Sequence, residues 1–206
     1  MTDIKSIRNK LEQQKGQRMQ IENNIVQLQE DLKIKNKDLQ RHEKAREIVK
    51  EVGLKTQQEL SFHISNITSM ALSAVFDNPY ELSVEFVQRR NQTECDLFFV
   101  RDGNKIDPLE ASGGGAVDVA AFALRVASWS MQTPHTRPVF ILDEPFKHLK
   151  GDANLRVLDM VNEISKRLNV QIIMISDERV SREDIEEKAD KVFTVSQNKK
   201  GVSKII

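Results

Sequence analysis

Pro138-Val139-Phe140-Ile141-Leu142-Asp143-Glu144-Pro145 is five apolar residues followed by two acids and a proline. A uniformly apolar run of this length is what a strand buried on both faces looks like. Carboxylates at its end then emerge where α/β sheets bind ligands. Asp143 suits a Mg²⁺ ion, bound directly or through water, and Glu144 suits the polarisation of a water that attacks a terminal phosphate. The plainer alternative is a strand that ends in a solvated acidic turn.

Around this run the pattern alternates between helix and strand. Ala116–Met131, Asp152–Leu168 and Ser181–Lys188 read as helices, and Pro138–Leu142, Val170–Ser176 and Lys191–Ser196 as strands. Such alternation predicts an α/β fold with a mainly parallel sheet and flanking helices. Upstream, Tyr80, Leu82, Val84 and Phe86 alternate with polar residues. Cys95, Leu97 and Phe99 do the same after a polar turn, so Tyr80–Gly103 reads as a β-hairpin.

Ala111-Ser112-Gly113-Gly114-Gly115 stands directly before the helical run from Ala116. Glycines allow close backbone approach, and the unpaired N–H groups of a helix start, with the Ser112 hydroxyl, make an anion site. A flexible loop is the competing reading of the same glycines.

The first quarter of the chain has a different composition. From Ile4 to Val52 there is no proline and a single glycine, Gly16. Alternating steps of three and four residues from Ile4 meet Ile7, Leu11, Ile21, Ile25, Leu28, Leu32, Leu39 and Val49, the seam of a coiled coil. Gln14, Arg18, Lys35, His42 and Arg46 interrupt that seam. The expected organisation is a long coiled-coil helix, 1–56, with a soft boundary near Gly53, followed by a globular lobe, 57–206. The seam calls for a partner helix, in another chain, in a further segment of a longer chain, or in a second copy of this one.

Lysine and arginine total 31, as do aspartate and glutamate, so no general affinity for nucleic acid is announced. The single cysteine, Cys95, excludes an internal disulfide framework and agrees with a reducing cytoplasm, the expected location. No run approaches the roughly 18 apolar residues of a membrane span.

Ser112-Gly113-Gly114 followed about thirty residues later by Ile141-Leu142-Asp143-Glu144-Pro145 resembles the signature and Walker B motifs of ABC-type ATPases. With the helical arm ahead of them, the motifs resemble the SMC-like group that includes SbcC, RecN and phage recombination ATPases, in its carboxyl-terminal lobe. The resemblance implies ATP and Mg²⁺ as cofactors, with Asp143 the Mg²⁺-side acid and Glu144 the catalytic base. Ser112, Gly113 and Gly114 would reach the γ-phosphate of ATP held on an opposite head. It further implies DNA and a nuclease subunit as partners. Arg41, Lys44, Arg46, Lys50, Arg89 and Arg90 are the candidate DNA contacts, against the plainer reading of a solvated surface.

The chain departs from that pattern in several places. Gly115 replaces the Gln or Glu that commonly follows the signature glycines, which predicts a looser loop. Lys150 stands where the loop after Walker B usually has Asp, with Asp152 two residues on. Asp177 follows the strand that in the family ends at a switch histidine, and His148 is a candidate to substitute, against the plainer reading of a solvated loop histidine. No Gly-x-x-x-x-Gly-Lys-Ser/Thr occurs, so the phosphate-binding loop is expected in a complementary Walker A lobe, joined by an antiparallel coil strand. On that view this chain begins partway along the returning coil. The function expected is ATP hydrolysis at a shared site that gates DNA repair or recombination. The alternative is a non-hydrolysing coiled-coil adaptor with a degenerate lobe.

Overall fold

A computed structural model describes residues 4–90, 92–110, 113–176, 180–198 and 201–205. Internal contacts divide the chain into two units, 1–56 and 57–206. In the first unit every described residue lies in helix α1 (Ile4–Val75), which runs on through Gly53 without a break. The seam residues Ile7, Leu11, Ile21, Ile25, Leu28, Leu32 and Leu39 are all exposed. Ion pairs one turn apart, such as Arg18 with Glu22 at 2.8 Å, add only a few tenths of a kcal/mol each. A helix this polar, about 80 Å over the first unit, therefore presents an apolar stripe, interrupted by polar residues, that no described residue covers.

In the second unit the last turns of α1 turn apolar, and Thr68, Ala71, Leu72 and Val75 are buried. The chain then forms the antiparallel pair β1 (Glu81–Arg89) and β2 (Gln92–Arg101), extended by the short β3 (Asn104–Ile106) in the order β1-β2-β3. The register places Leu82 opposite Phe99, Val84 opposite Leu97 and Phe86 opposite Cys95. Burial follows only part of that alternation. Leu82, Val84 and Phe99 are core residues, whereas Leu97 and Cys95 are exposed because the hairpin runs past the core toward its turn.

Strand β1 is an edge, and α1 covers part of it. The Ser61 hydroxyl donates to the Val84 carbonyl at 2.7 Å, and the Leu82 N–H donates to Ser69 Oγ at 2.9 Å. Backbone groups that an edge would leave to water or to another chain are thus satisfied within the fold.

Helix α2 (Gly114–Met131) buries Ala116, Val119, Ala120, Phe122, Ala123, Val126 and Ala127. It packs on β4 (Val139–Asp143) and the turn that follows, with Trp129 edge-on to Phe140 and Phe122 edge-on to Phe146. Helix α3 (Asp152–Leu168) carries Asp152 in its first turn, Lys166 and Arg167 in its last, and ends at left-handed Asn169. Those charges oppose the helix dipole and the left-handed residue closes the last turn. It connects β4 to β5 (Gln171–Ile175) as a parallel pair, the βα alternation expected of the α/β class. Helix α4 (Arg182–Lys188) starts at Ser181, whose hydroxyl accepts the Asp184 N–H.

Two expectations change. The last strand, β6 (Val195–Gln197), pairs antiparallel with β7 (Ser203–Ile205) as a separate hairpin and does not join β4 and β5. Strand β4 is also not buried on both faces. Phe140 and Leu142 turn inward, while Val139 is 40% and Ile141 76% exposed. On β5, Ile173 and Ile175 are 48% and 57% exposed. Ile141 and Ile173 are paired in register, so the two strands share one uncovered apolar face. An all-apolar run reports that both faces meet apolar matter, and here only one of the two covers is found among the described residues.

Candidate functional site

The carboxyl ends of β4 and β5 bring the acidic pair to the surface. Asp143 pairs with Ile175 in the ladder, and the next N–H, that of Glu144, donates to the Ile175 carbonyl at 3.0 Å. Glu144 then adopts φ 42°, a left-handed conformation that a glutamate takes at a cost of order 1–3 kcal/mol. The extended ladder on one side and the turn on the other hold it there: Lys147 N–H returns to the Glu144 carbonyl, and Leu149 N–H to that of Phe146. Such strain concentrates where a side chain must be presented for chemistry. Both acids are exposed.

Beneath the turn, a cavity of about 30 Å³ is lined in part by Glu144, Asn154, Met174 and Ser176. Its size suits water and not a nucleotide.

At the start of α2 the three glycines separate into distinct roles. Gly113, the N-cap at φ −64° and ψ 142°, has open space where a side chain would project. At Gly114 a Cβ would fall 2.8 Å from the His148 ring, and at Gly115 it would fall 2.7 Å from Leu149 Cδ2 and 3.3 Å from the His148 carbonyl oxygen. Gly115 therefore does not loosen the loop, as the sequence suggested. It is buried, and it lets the helix start press against the turn after the acidic pair.

Asp118, one turn into α2, fastens the same contact. Its carboxylate accepts the His148 backbone N–H at 3.0 Å and lies 3.0 and 3.2 Å from His148 Nδ1. Sequence reasoning passed over Asp118, although a lone acid inside Gly-Gly-Ala-Val-Asp-Val-Ala-Ala-Phe was a usable signal. The structure thus joins Gly114 and Gly115 to the segment carrying Glu144, by way of His148 and Leu149. Ser112 and Asp177 lie outside the described residues. Asp152 begins α3, where its charge faces the helix dipole.

Among the described residues, no three His, Cys, Asp or Glu side chains cluster as a metal site. A Mg²⁺ ion is commonly held by one or two carboxylates together with phosphates and waters, so Asp143 fits as a single protein contribution to it. At the hairpin turn, Arg89 is committed to two acids, with bonds of 2.9 and 2.6 Å to Asp96 and 3.1 Å to Glu94. Its hydrogen bond holds the Asp96 carboxyl below the usual range. Arg41 pairs with Asp38 at 3.3 Å. No helix among the described residues is long and apolar enough to cross a membrane.

An α/β lobe with acids at the end of a parallel ladder, a glycine helix start packed against the turn that follows them, and a long helix leading in has the fold of an ATPase head's carboxyl-terminal lobe. Solved structures to which the chain is similar include SMC heads. An SMC head bound to the C-winged helix domain of ScpA matches at TM-score 0.55 and 24% identity, over 76% of this chain and 44% of that one. The Pyrococcus yayanosii SMC head with a coiled coil and joint matches at TM-score 0.57 and 20% identity, over 98% of this chain and 33% of the other. The Pyrococcus furiosus SMC head with an extended coiled coil, bound to the C-terminal domain of ScpA, matches at TM-score 0.52 and 25% identity, over 76% of this chain and 36% of the other. The chain therefore spans less than half the length of each of these three. No family model and no curated protein matches it by sequence.

Proposed function

We propose that the chain is the carboxyl-terminal lobe of an SMC-like ATPase. It completes an ATP site with a lobe that carries the phosphate-binding loop, and in doing so gates a DNA repair or recombination reaction, with a nuclease as the further partner. One observation carries this reading: the uncovered apolar face of β4 and β5 ends at Asp143 and the strained Glu144, so a missing layer and a presented acid pair belong to the same two strands. A lobe packed on that face would bring a phosphate cradle to the end of the ladder.

The residues divide the chemistry as follows. Asp143 is the protein ligand on the Mg²⁺ side, and the ion supplies charge neutralisation on the phosphates. Glu144 orients the attacking water and takes its proton. Ser112, Gly113 and the first N–H groups of α2 receive the terminal phosphate from an opposing head, and Asp177 takes the nucleotide-facing position that the resembled family gives to a switch histidine. The stripe on α1 takes an antiparallel helix.

The test is turnover in reconstitution. The purified chain alone should hydrolyse ATP negligibly, and addition of a lobe with the phosphate-binding loop should restore hydrolysis. Glu144→Gln should then lower kcat by a factor of about 10²–10⁴, the usual worth of a general base. Full activity from the isolated chain would overturn the shared site, and an unaffected Glu144→Gln complex would favour the adaptor reading.

A further inference from the structure

We propose that His148 is a phosphate-contacting residue of this site and Asp118 its positioning residue; the inference rests on the reading of the site as a shared ATPase centre. Two groups place the imidazole, the Asp118 carboxylate and the backbone at Gly114. Asp118 receives both the His148 backbone N–H and the ring Nδ1, so the ring has one orientation and its Nδ1 carries the proton. The ring lies flush with Gly114, in space that any side chain at that position would occupy. Half of the His148 side chain remains exposed, while the Asp118 side chain is only 15% exposed.

The outcome is an anchored imidazole at the amino-terminal end of α2, beside the unpaired N–H groups of that helix start. With Nδ1 taken by Asp118, Nε2 is the ring nitrogen that has no hydrogen bond to a described residue. Because the Nδ1 proton is given to Asp118, Nε2 is a donor to a phosphate oxygen only in the doubly protonated imidazolium form, and that form is the one that meets the phosphate. The need for one is local: Asp143, Glu144 and Asp118 place three carboxylates around the turn at 143–150, and a nucleotide adds phosphate charge. Lys150 in the same turn carries its charge on a long rotatable stem, whereas the imidazole is already fixed against Gly114. Gly114 thus has two tasks, since it gives up its side chain so that the backbone N–H groups and an imidazole can stand side by side.

Two near-isosteric substitutions separate contact from scaffolding. The amide nitrogen of Asn falls near Nδ1 and keeps the tie to Asp118, while that of Gln falls near Nε2 and keeps the outward donor. The experiment uses the full chain with its complementary lobe. It measures steady-state ATP hydrolysis and, in the Glu144→Gln background where hydrolysis is off, ATP-dependent association by sedimentation velocity.

His148→Asn should lower kcat by at least tenfold with KM changed less than threefold, and should weaken ATP-dependent association by a similar factor while nucleotide-free association stays as it was. His148→Gln should recover a substantial part of both. Asp118→Asn, which keeps an acceptor for the backbone N–H, should fall between. If His148→Asn matches the parent in both assays while Glu144→Gln stops turnover, the phosphate role is wrong and the ATPase reading stands. If His148→Asn and His148→Gln are equally impaired, His148 is scaffolding and the proposal falls. If the parent complex shows neither turnover nor ATP-dependent association, the ATPase reading falls and the role of His148 with it.

Discussion

Gly113 and Gly115 are two residues apart and identical in sequence terms, yet their surroundings give opposite expectations. Gly113 has open space around it, and Gly115 is closed in by Leu149 and the His148 carbonyl. Gly113→Ala should leave stability within about 0.5 kcal/mol of the parent. Gly115→Ala gains helix propensity of roughly 1 kcal/mol but forces the buried Leu149 aside, and should be net destabilising by about 1–2 kcal/mol. Urea midpoints of the isolated chain measure both, and equal midpoints would refute the close approach. Sequence showed that three glycines precede a helix. It did not show which of them faces a ligand, because that depends on a segment more than thirty residues downstream. The acid pair was legible from its own neighbours, since an apolar run and two carboxylates are a local pattern. The left-handed turn at Glu144 was not, because glutamate carries no preference for it.

Among the elements, α1 and α3 are joined at a point no periodicity announces. Arg156 of α3 donates to the Val75 carbonyl at 3.3 Å and to Asp77 at 2.6 and 3.3 Å. The hydrogen bond and charge of Arg156 lower the Asp77 pKa. A carboxyl with a depressed folded-state pKa contributes stability that is present above its unfolded value, near 3.9, and lost as pH falls through the folded value. Arg156→Met should therefore be less stable than the parent at pH 7, and the difference should shrink as pH falls below about 4. Denaturation midpoints across that range provide the check, and a difference independent of pH would assign the effect to packing alone. The elements themselves were largely readable. The long helix, the hairpin, α2, α3 and the two parallel strands lie where apolar spacing put them, because each carries its own period. The final hairpin was misread as a strand of the main sheet: Val195–Gln197 and Ser203–Ile205 are short, and their pairing depends on a turn rather than on a pattern.

For the whole molecule, the uncovered faces are the main result. Ile141 and Ile173 are exposed side by side on the β4–β5 face, and the α1 stripe is exposed along its length. If the sheet face is a docking surface, Ile141→Lys should barely change the thermal midpoint of the isolated chain, since the side chain is already in solvent. The same change should weaken binding to the complementary lobe by at least about 30-fold, the effect of losing a 2 kcal/mol hot spot. Calorimetry on the two proteins measures it, and unchanged affinity would place the lobe elsewhere. The apolar run at 138–142 already contained this information, because it described a strand with two covers. It did not show that only one of them would be found among the described residues.

The guanidinium of Arg156 also has a mechanical meaning. It grips the carbonyl at the very end of α1 and the first acid beyond it, and it stands in the second turn of the helix that follows the Glu144 loop. A twist or pull on the last turn of α1 is therefore loaded onto α3 through one rigid planar group, without first deforming the β-hairpin between them in sequence. Within the lobe, the last turn of α1 and the helix that follows the acids are tied directly to each other, with Arg156 as the tie.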